Sequence, residues 1–163
     1  MKPSDILLRL VQGNEGKVWA NQVTRIGWKK DTSEEYTPVC QWSGVICNDS
    51  NDETIITEID LSDTTLIGTI PPELGQLTSL RKLDLSLNLI RGPIPTSIEQ
   101  LPYLEVLDLS ENQLSGVFPK FESRSLRSLN LSYNRLTGTL HKDLGVAYPD
   151  MTDLDLMENQ LTG

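Results

Sequence analysis

The sequence predicts an α/β solenoid: a parallel β-sheet on a concave face, short helical turns on the convex side, and a helical cap at the N-terminus. Three observations carry this. Glycine recurs at Gly68, Gly92, Gly116, Gly138 and Gly163, at intervals of 24, 24, 22 and 25 residues, and a fixed period in this range marks coils that stack. Each interval contains an alternating apolar-x-apolar element, the signature of a short strand with one buried face. All three tryptophans (Trp19, Trp28 and Trp42) precede the first repeat, where bulky side chains can cover an exposed core end.

The division is residues 1–55 as the cap and 56–163 as the repeats, four full units of 22–25 residues and one truncated unit. In the cap, Ser4 or Asp5 can start a helix whose Ile6, Leu7, Leu10 and Val11 share one face and which ends near Gly13. A second helix is expected over 16–26. Cys40 and Cys47 follow, seven apart, either as a short disulfide or as two free thiols.

The repeats align as ITEIDLSDTTLIGTIP from Ile56, LRKLDLSLNLIRGPIP from Leu80, LEVLDLSENQLSGVFP from Leu104, LRSLNLSYNRLTGTLH from Leu126 and MTDLDLMENQLTG from Met151. Asn88, Asn112, Asn134 and Asn159 recur where the chain turns inward, so their amides are expected to form a ladder between coils. The first unit has Thr64 there, which delays the ladder by one coil. Pro72 to Leu77 carry apolar residues three apart, as a single helical turn does. The third unit is shortened after Pro119, with Phe121 and the polar run 122–125 in place of that turn.

These units resemble LxxLxLxxNxLxGxIP, the leucine-rich repeat in its plant-type form, over about residues 56–163. The resemblance implies a second, shorter strand at the glycine and proline that follow each asparagine. Cys40-Gln41-Trp42-Ser43-Gly44-Val45-Ile46-Cys47 is similar to the end of the N-terminal cap of such proteins, which implies a Cys40–Cys47 disulfide and an extracellular or cell-surface location. On chain-entropy grounds that bond contributes about 2–3 kcal/mol. Known members with this pairing include receptor-like kinase ectodomains and secreted inhibitors of plant-cell-wall hydrolases such as polygalacturonase.

Function classes narrow by composition. A net charge of −9 argues against nucleic acid and anionic membrane surfaces. No apolar run is long enough to span a bilayer, and the apolar stretch 6–11 is interrupted by Arg9 and lacks the small-residue cleavage site of a leader. His141 is the single histidine, so multi-histidine metal sites are excluded; it is read as a surface loop residue, and no catalytic residue, cofactor or metal is assigned.

The charge distribution points to a binding face. Residues 56–163 carry fifteen acids and eight bases. Ten of those acids fall at positions read as outward on the strands (Glu58, Asp60, Asp63, Asp84, Glu105, Asp108, Glu111, Asp153, Asp155, Glu158) against Arg81, Lys82 and Arg127. Stacking at about 4.8 Å then aligns Asp60, Asp84, Asp108, Asn130 and Asp155 in one acidic column. The assigned ligand face comprises that column with Glu58, Lys82, Glu111 and Tyr133, and Leu87, Val106 and Met157 join Tyr133 as apolar anchors. The partner expected is a peptide or protein of basic character, with a glycan as the other class. A calcium site is disfavoured because the carboxylates project outward without a cage. Asn48 and Asn130 lie in N-glycosylation sequons, Asn48 being the better placed. The last unit stops in mid-repeat, leaving Met151, Leu154, Leu156 and Leu161 at an open end; the expectation is a fragment of a longer chain.

Overall fold

The computed structural model describes residues 5–7, 38–48, 55–140, 142 and 144–162. Its chain winds into stacked coils, each contributing one strand to each of two sheets. The first sheet is six-stranded, in the order β1 (Val45–Cys47), β2 (Ile56–Asp60), β4 (Lys82–Asp84), β6 (Val106–Asp108), β8 (Ser128–Asn130) and β10 (Asp153–Asp155). All pairs are parallel except β1 with β2, which is antiparallel. The second sheet is five-stranded and parallel, built from β3 (Ile67–Gly68), β5 (Leu89–Gly92), β7 (Gln113–Val117), β9 (Arg135–Thr139) and β11 (Gln160–Thr162). The expected second strands are therefore present.

Alternation decides what each strand buries. Ile59, Leu83, Leu107 and Leu129 stand in register and are at most 1% exposed. Leu154 continues the row but is 42% exposed, and Met151, Leu156 and Leu161 of the same coil are partly buried. Leu61, Leu85, Leu109 and Leu131 form a second buried row. Beyond the second row runs the asparagine ladder. The Asn88 amide donates to Leu61 O at 2.8 Å in the coil before it and to Leu85 O and Ser86 O in its own, while its Oδ1 accepts from Leu66 N at 2.8 Å. Asn112, Asn134 and Asn159 repeat the pattern, accepting from Ile90, Leu114 and Leu136, each at 2.9 Å. The Thr64 hydroxyl donates to Leu61 O in its own turn at 2.6 Å and lies 3.4 Å from Asn88 Oδ1, with no amide to reach a preceding coil, so the ladder does begin with the second coil.

On the convex side, Pro72–Gln76 form a 3₁₀ turn, and Thr96–Glu99 and Leu144–Ala147 form short α turns. The shortened third unit has no helix there. It runs without regular structure, with Phe121 in the core and Ser123 1% exposed, its hydroxyl donating to Leu104 O at 2.7 Å. From the next coil the buried Tyr148 hydroxyl donates to Phe121 O at 3.0 Å, satisfying a carbonyl that a helix would have paired internally.

At the N-terminal side, Val39, Trp42 and Val45 are buried against the first coil, and Ile6 and Leu7 join the same core. Cys40 and Cys47 are bonded, with Cα atoms 5.7 Å apart. Gly44 has φ +76°, its carbonyl accepts from Asp60 N at 2.7 Å, and a Cβ there would fall 1.9 Å from Asp60 O. Trp19, Trp28, Leu10, Val11, the expected helix over 16–26 and His141 lie outside the described residues. No described helix is long and apolar enough to cross a membrane.

Candidate functional site

The first sheet brings the expected column together. Asp60, Asp84, Asp108, Asn130 and Asp155 are register partners on successive strands, and Glu58, Lys82, Val106, Ser128 and Asp153 form the adjacent row. Val106 is half-buried within that row. The face is thus a polar surface across five coils, interrupted by Val106.

The column is less free than its formal charge suggests, for two reasons. Each first oxygen is used by its own turn: Asp60 Oδ1 accepts from Ser62 N at 3.2 Å and Ser62 Oγ at 2.7 Å, and Asp84 with Ser86, Asp108 with Ser110 and Asn130 with Ser132 do the same. Asp155 accepts from Met157 N at 3.0 Å, since methionine replaces the serine, and the Met157 side chain is 62% exposed. An acidic or amide side chain closing onto the backbone two residues on is a local turn device. The Asp-x-Ser spacing was the readable signal for it.

The second oxygens are partly covered. Lys82 Nζ lies 3.1 Å from Asp60 Oδ2 and 4.0 Å from Asp84 Oδ2. Burial works against ionisation of Asp60, but the Ser62 hydroxyl and the Lys82 ammonium outweigh it and hold the carboxyl below its ordinary value. The hydrogen bond to Asp60 raises Lys82 above ordinary lysine, against its own burial, with Asp84 and Glu58 adding to the effect. Arg81 pairs with Glu105. Asn130 Nδ2 donates to Asp108 Oδ2 at 3.1 Å, relieving the contact between neighbouring carboxylates and engaging the atom a glycan would occupy. Asn48 is exposed at the end of β1.

Compensation therefore concentrates on the first coils. Asp108, Ser128, Asn130, Thr152, Asp153 and Asp155 line a shallow open depression on the later ones, floored by Leu129 and Leu154. No described ion pair involves Asp108, Asp153 or Asp155.

Three of the acids read as outward on the strands lie elsewhere, together with two of the expected apolar anchors. Asp63, Leu87, Glu111, Tyr133 and Glu158 sit in the turn after each strand with φ between 50° and 57°, at the rim of the face. That left-handed backbone lets successive N–H groups reach the next coil: Leu87 N bonds Ser110 O at 3.0 Å and Asn88 N bonds Glu111 O at 3.2 Å. Three of the ten acids counted as strand residues thus belong to the rim. Leu87 and Tyr133 remain 47% and 53% exposed there. Among the described residues no set of His, Cys, Asp and Glu side chains converges to hold a metal ion.

The leucine rich repeat family model matches residues 55–114 and 104–161. The nodulation receptor kinase of Pisum sativum is 45% identical over 40 residues, which are 24% of this chain and 4% of that protein, so the chain spans a small part of that relative's length. The BIR2 ectodomain of Arabidopsis thaliana superimposes with a TM-score of 0.78 at 32% identity, covering all of this chain and 84% of that one. A chain of the BIR3–SERK2 complex from Arabidopsis thaliana gives 0.79 at 31% identity over 98% of this chain and 84% of that chain. The Arabidopsis receptor kinase HAESA ectodomain, solved with an IDA peptide hormone ligand, gives 0.53 at 39% identity over 58% of this chain and 16% of its own.

Proposed function

The chain belongs to the leucine-rich-repeat family and is similar to plant receptor ectodomains, and from that premise we propose a non-catalytic recognition module that binds a basic peptide or protein segment on its concave face. The observation that carries the reading is the register of two outward rows across five coils, in which Asp108, Asp153 and Asp155 of the later coils have no ion-pair partner among the described residues while Asp60 and Asp84 of the earlier coils face Lys82. The favoured location is the depression around Asp108, Asn130, Asp153 and Asp155, and Glu111, Tyr133 and Met157, in the turns that follow the strands, are the further contacts proposed. Glu58, Asp60, Lys82 and Asp84 are the less available end of the same face.

The disulfide and the similarity to ectodomains support an extracellular or cell-surface location, with Asn48 as the glycan carrier. Similarity to receptor-kinase ectodomains, one of them solved with a peptide, favours a second, more specific reading in which this chain is the sensing part of such a receptor.

The test uses a lysine-rich twelve-residue peptide and isothermal titration at two salt concentrations. The double variant Asp108→Asn, Asp155→Asn should bind about tenfold more weakly and lose much of its salt dependence, since steering by charge is screened over about 8 Å. Its fold should be intact, because Asn130 already supports the same turn. Asp60→Asn should change binding little. Unchanged affinity in the double variant would remove the acidic face from the account.

A further inference from the structure

The second sheet carries a charge of the opposite sign. None of its five strands contains an aspartate or glutamate, although the chain has 23 acids and a net charge of −9. The acids nearest in sequence, Asp63, Glu111 and Glu158, stop at the turns before the strands. The outward positions of β5 and β9 instead include Arg91 and Arg135, both exposed, and neither pairs with any described carboxylate.

Beside these arginines lies exposed apolar surface. Leu89 is 47% exposed, Ile67 stands opposite it in register at 43%, and Leu87 precedes it by two residues at 47%. Val117, further along the same face, is 74% exposed. Apolar side chains scattered singly need no explanation, but a contiguous group rimmed by charge marks an interaction surface. Arg91 pairs in register with Gln113, and Ser115 with Arg135. Two strands of lateral offset and two residues of axial offset therefore put the arginine Cα atoms about 12 Å apart.

We propose that this outer face of the second sheet is a separate docking surface for an acidic protein segment, whose carboxylates pair with Arg91 and Arg135 while an apolar side chain packs on Leu89. The guanidinium fork matches a carboxylate bidentately, which lysine does not. Leu89 and Arg91 point the same way two residues apart, about 7 Å, so the matching segment is extended and places an apolar residue two positions from an aspartate or glutamate. This site carries its own salt signature. The −9 charge of the whole chain repels an acidic partner at long range, whereas the guanidinium contacts act at short range. Raising salt from low to physiological strength screens the repulsion first, so association should accelerate. A basic partner on the concave face should associate more slowly under the same change.

The experiment pans a random displayed library of twelve-residue peptides against the intact protein at physiological salt, then measures enriched peptides on two variants. Acidic-apolar sequences with the two-residue spacing should be enriched and lose at least tenfold in affinity for Leu89→Ser, Arg91→Glu. Both side chains are exposed, and an unchanged thermal melt verifies folding. Those peptides should still bind Asp108→Asn, Asp155→Asn as they bind the parent. Absence of acidic-apolar sequences among the enriched peptides would overturn the proposal, as would equal binding of such sequences to the Leu89→Ser, Arg91→Glu variant. Basic peptides retained by that variant and lost on the Asp108, Asp155 variant report on the concave face alone, so the two surfaces fail separately.

Discussion

Asn112 and Asp108 stand four residues apart, yet their roles differ because one is buried and the other faces water. The Asn112 amide donates to Leu85 O, Leu109 O and Ser110 O and accepts from Ile90 N, all inside the core. Only an amide of this length offers both donors and an acceptor at that point. Asn112→Ala leaves those groups unpaired away from water, at about 1–3 kcal/mol for each that stays unsatisfied. Urea denaturation should show a loss of about 3 kcal/mol or more. Asp60 gives the pH counterpart. Its folded carboxyl sits below the ordinary value of 3.8, so the stability it contributes is present above that pH and lost as pH falls through the lower folded value. Removing the ammonium in Lys82→Met should make the protein less sensitive to acid below about pH 4, measured as thermal midpoint against pH.

Gly44 shows how single elements are closed. With positive φ and Asp60 O 1.9 Å from where a Cβ would stand, it joins the Cys40–Cys47 segment to the first coil. Gly44→Ala should cost at least about 2 kcal/mol by calorimetry and affect this end first, from backbone strain plus the clash. How far each element was legible follows from the same physics. The strands and the ladder were plain because burial imposes a period of two and an amide at a fixed place. The irregular third convex segment was legible only as a shortening. Its geometry depends on Ser123 and Tyr148 finding carbonyls 19 and 27 residues away. Glu111 and Glu158 were misread as strand because glutamate gives no hint of a left-handed backbone, which the stacking of coils imposes and glycine or asparagine would have announced. The coverage of Asp60 and Asp84 by Lys82 was hidden for a related reason: it needs side-chain reach as well as register.

At the scale of the molecule, stability and recognition both come from stacking. Leu129 is 1% exposed with a coil on each side, whereas Leu154, its register partner in the last described coil, is 42% exposed; the difference is what one neighbouring coil covers. Stability in such an array is approximately a sum of coil and interface contributions. The same stacking converts scattered residues into two faces, a first sheet that aligns Asp60, Asp84, Asp108 and Asp155 and a second sheet whose strands carry no acid and include Arg91 and Arg135. Neither face exists in any single repeat.

The measurement that tests the central claim most directly is an amide chemical-shift map of the ¹⁵N-labelled protein titrated with the lysine-rich peptide. The account expects the largest changes at Val106–Asp108, Ser128–Asn130 and Asp153–Asp155, smaller ones at Ile56–Asp60, and none on the second sheet. Shifts centred on β5 and β9, or spread evenly over the surface, would contradict it.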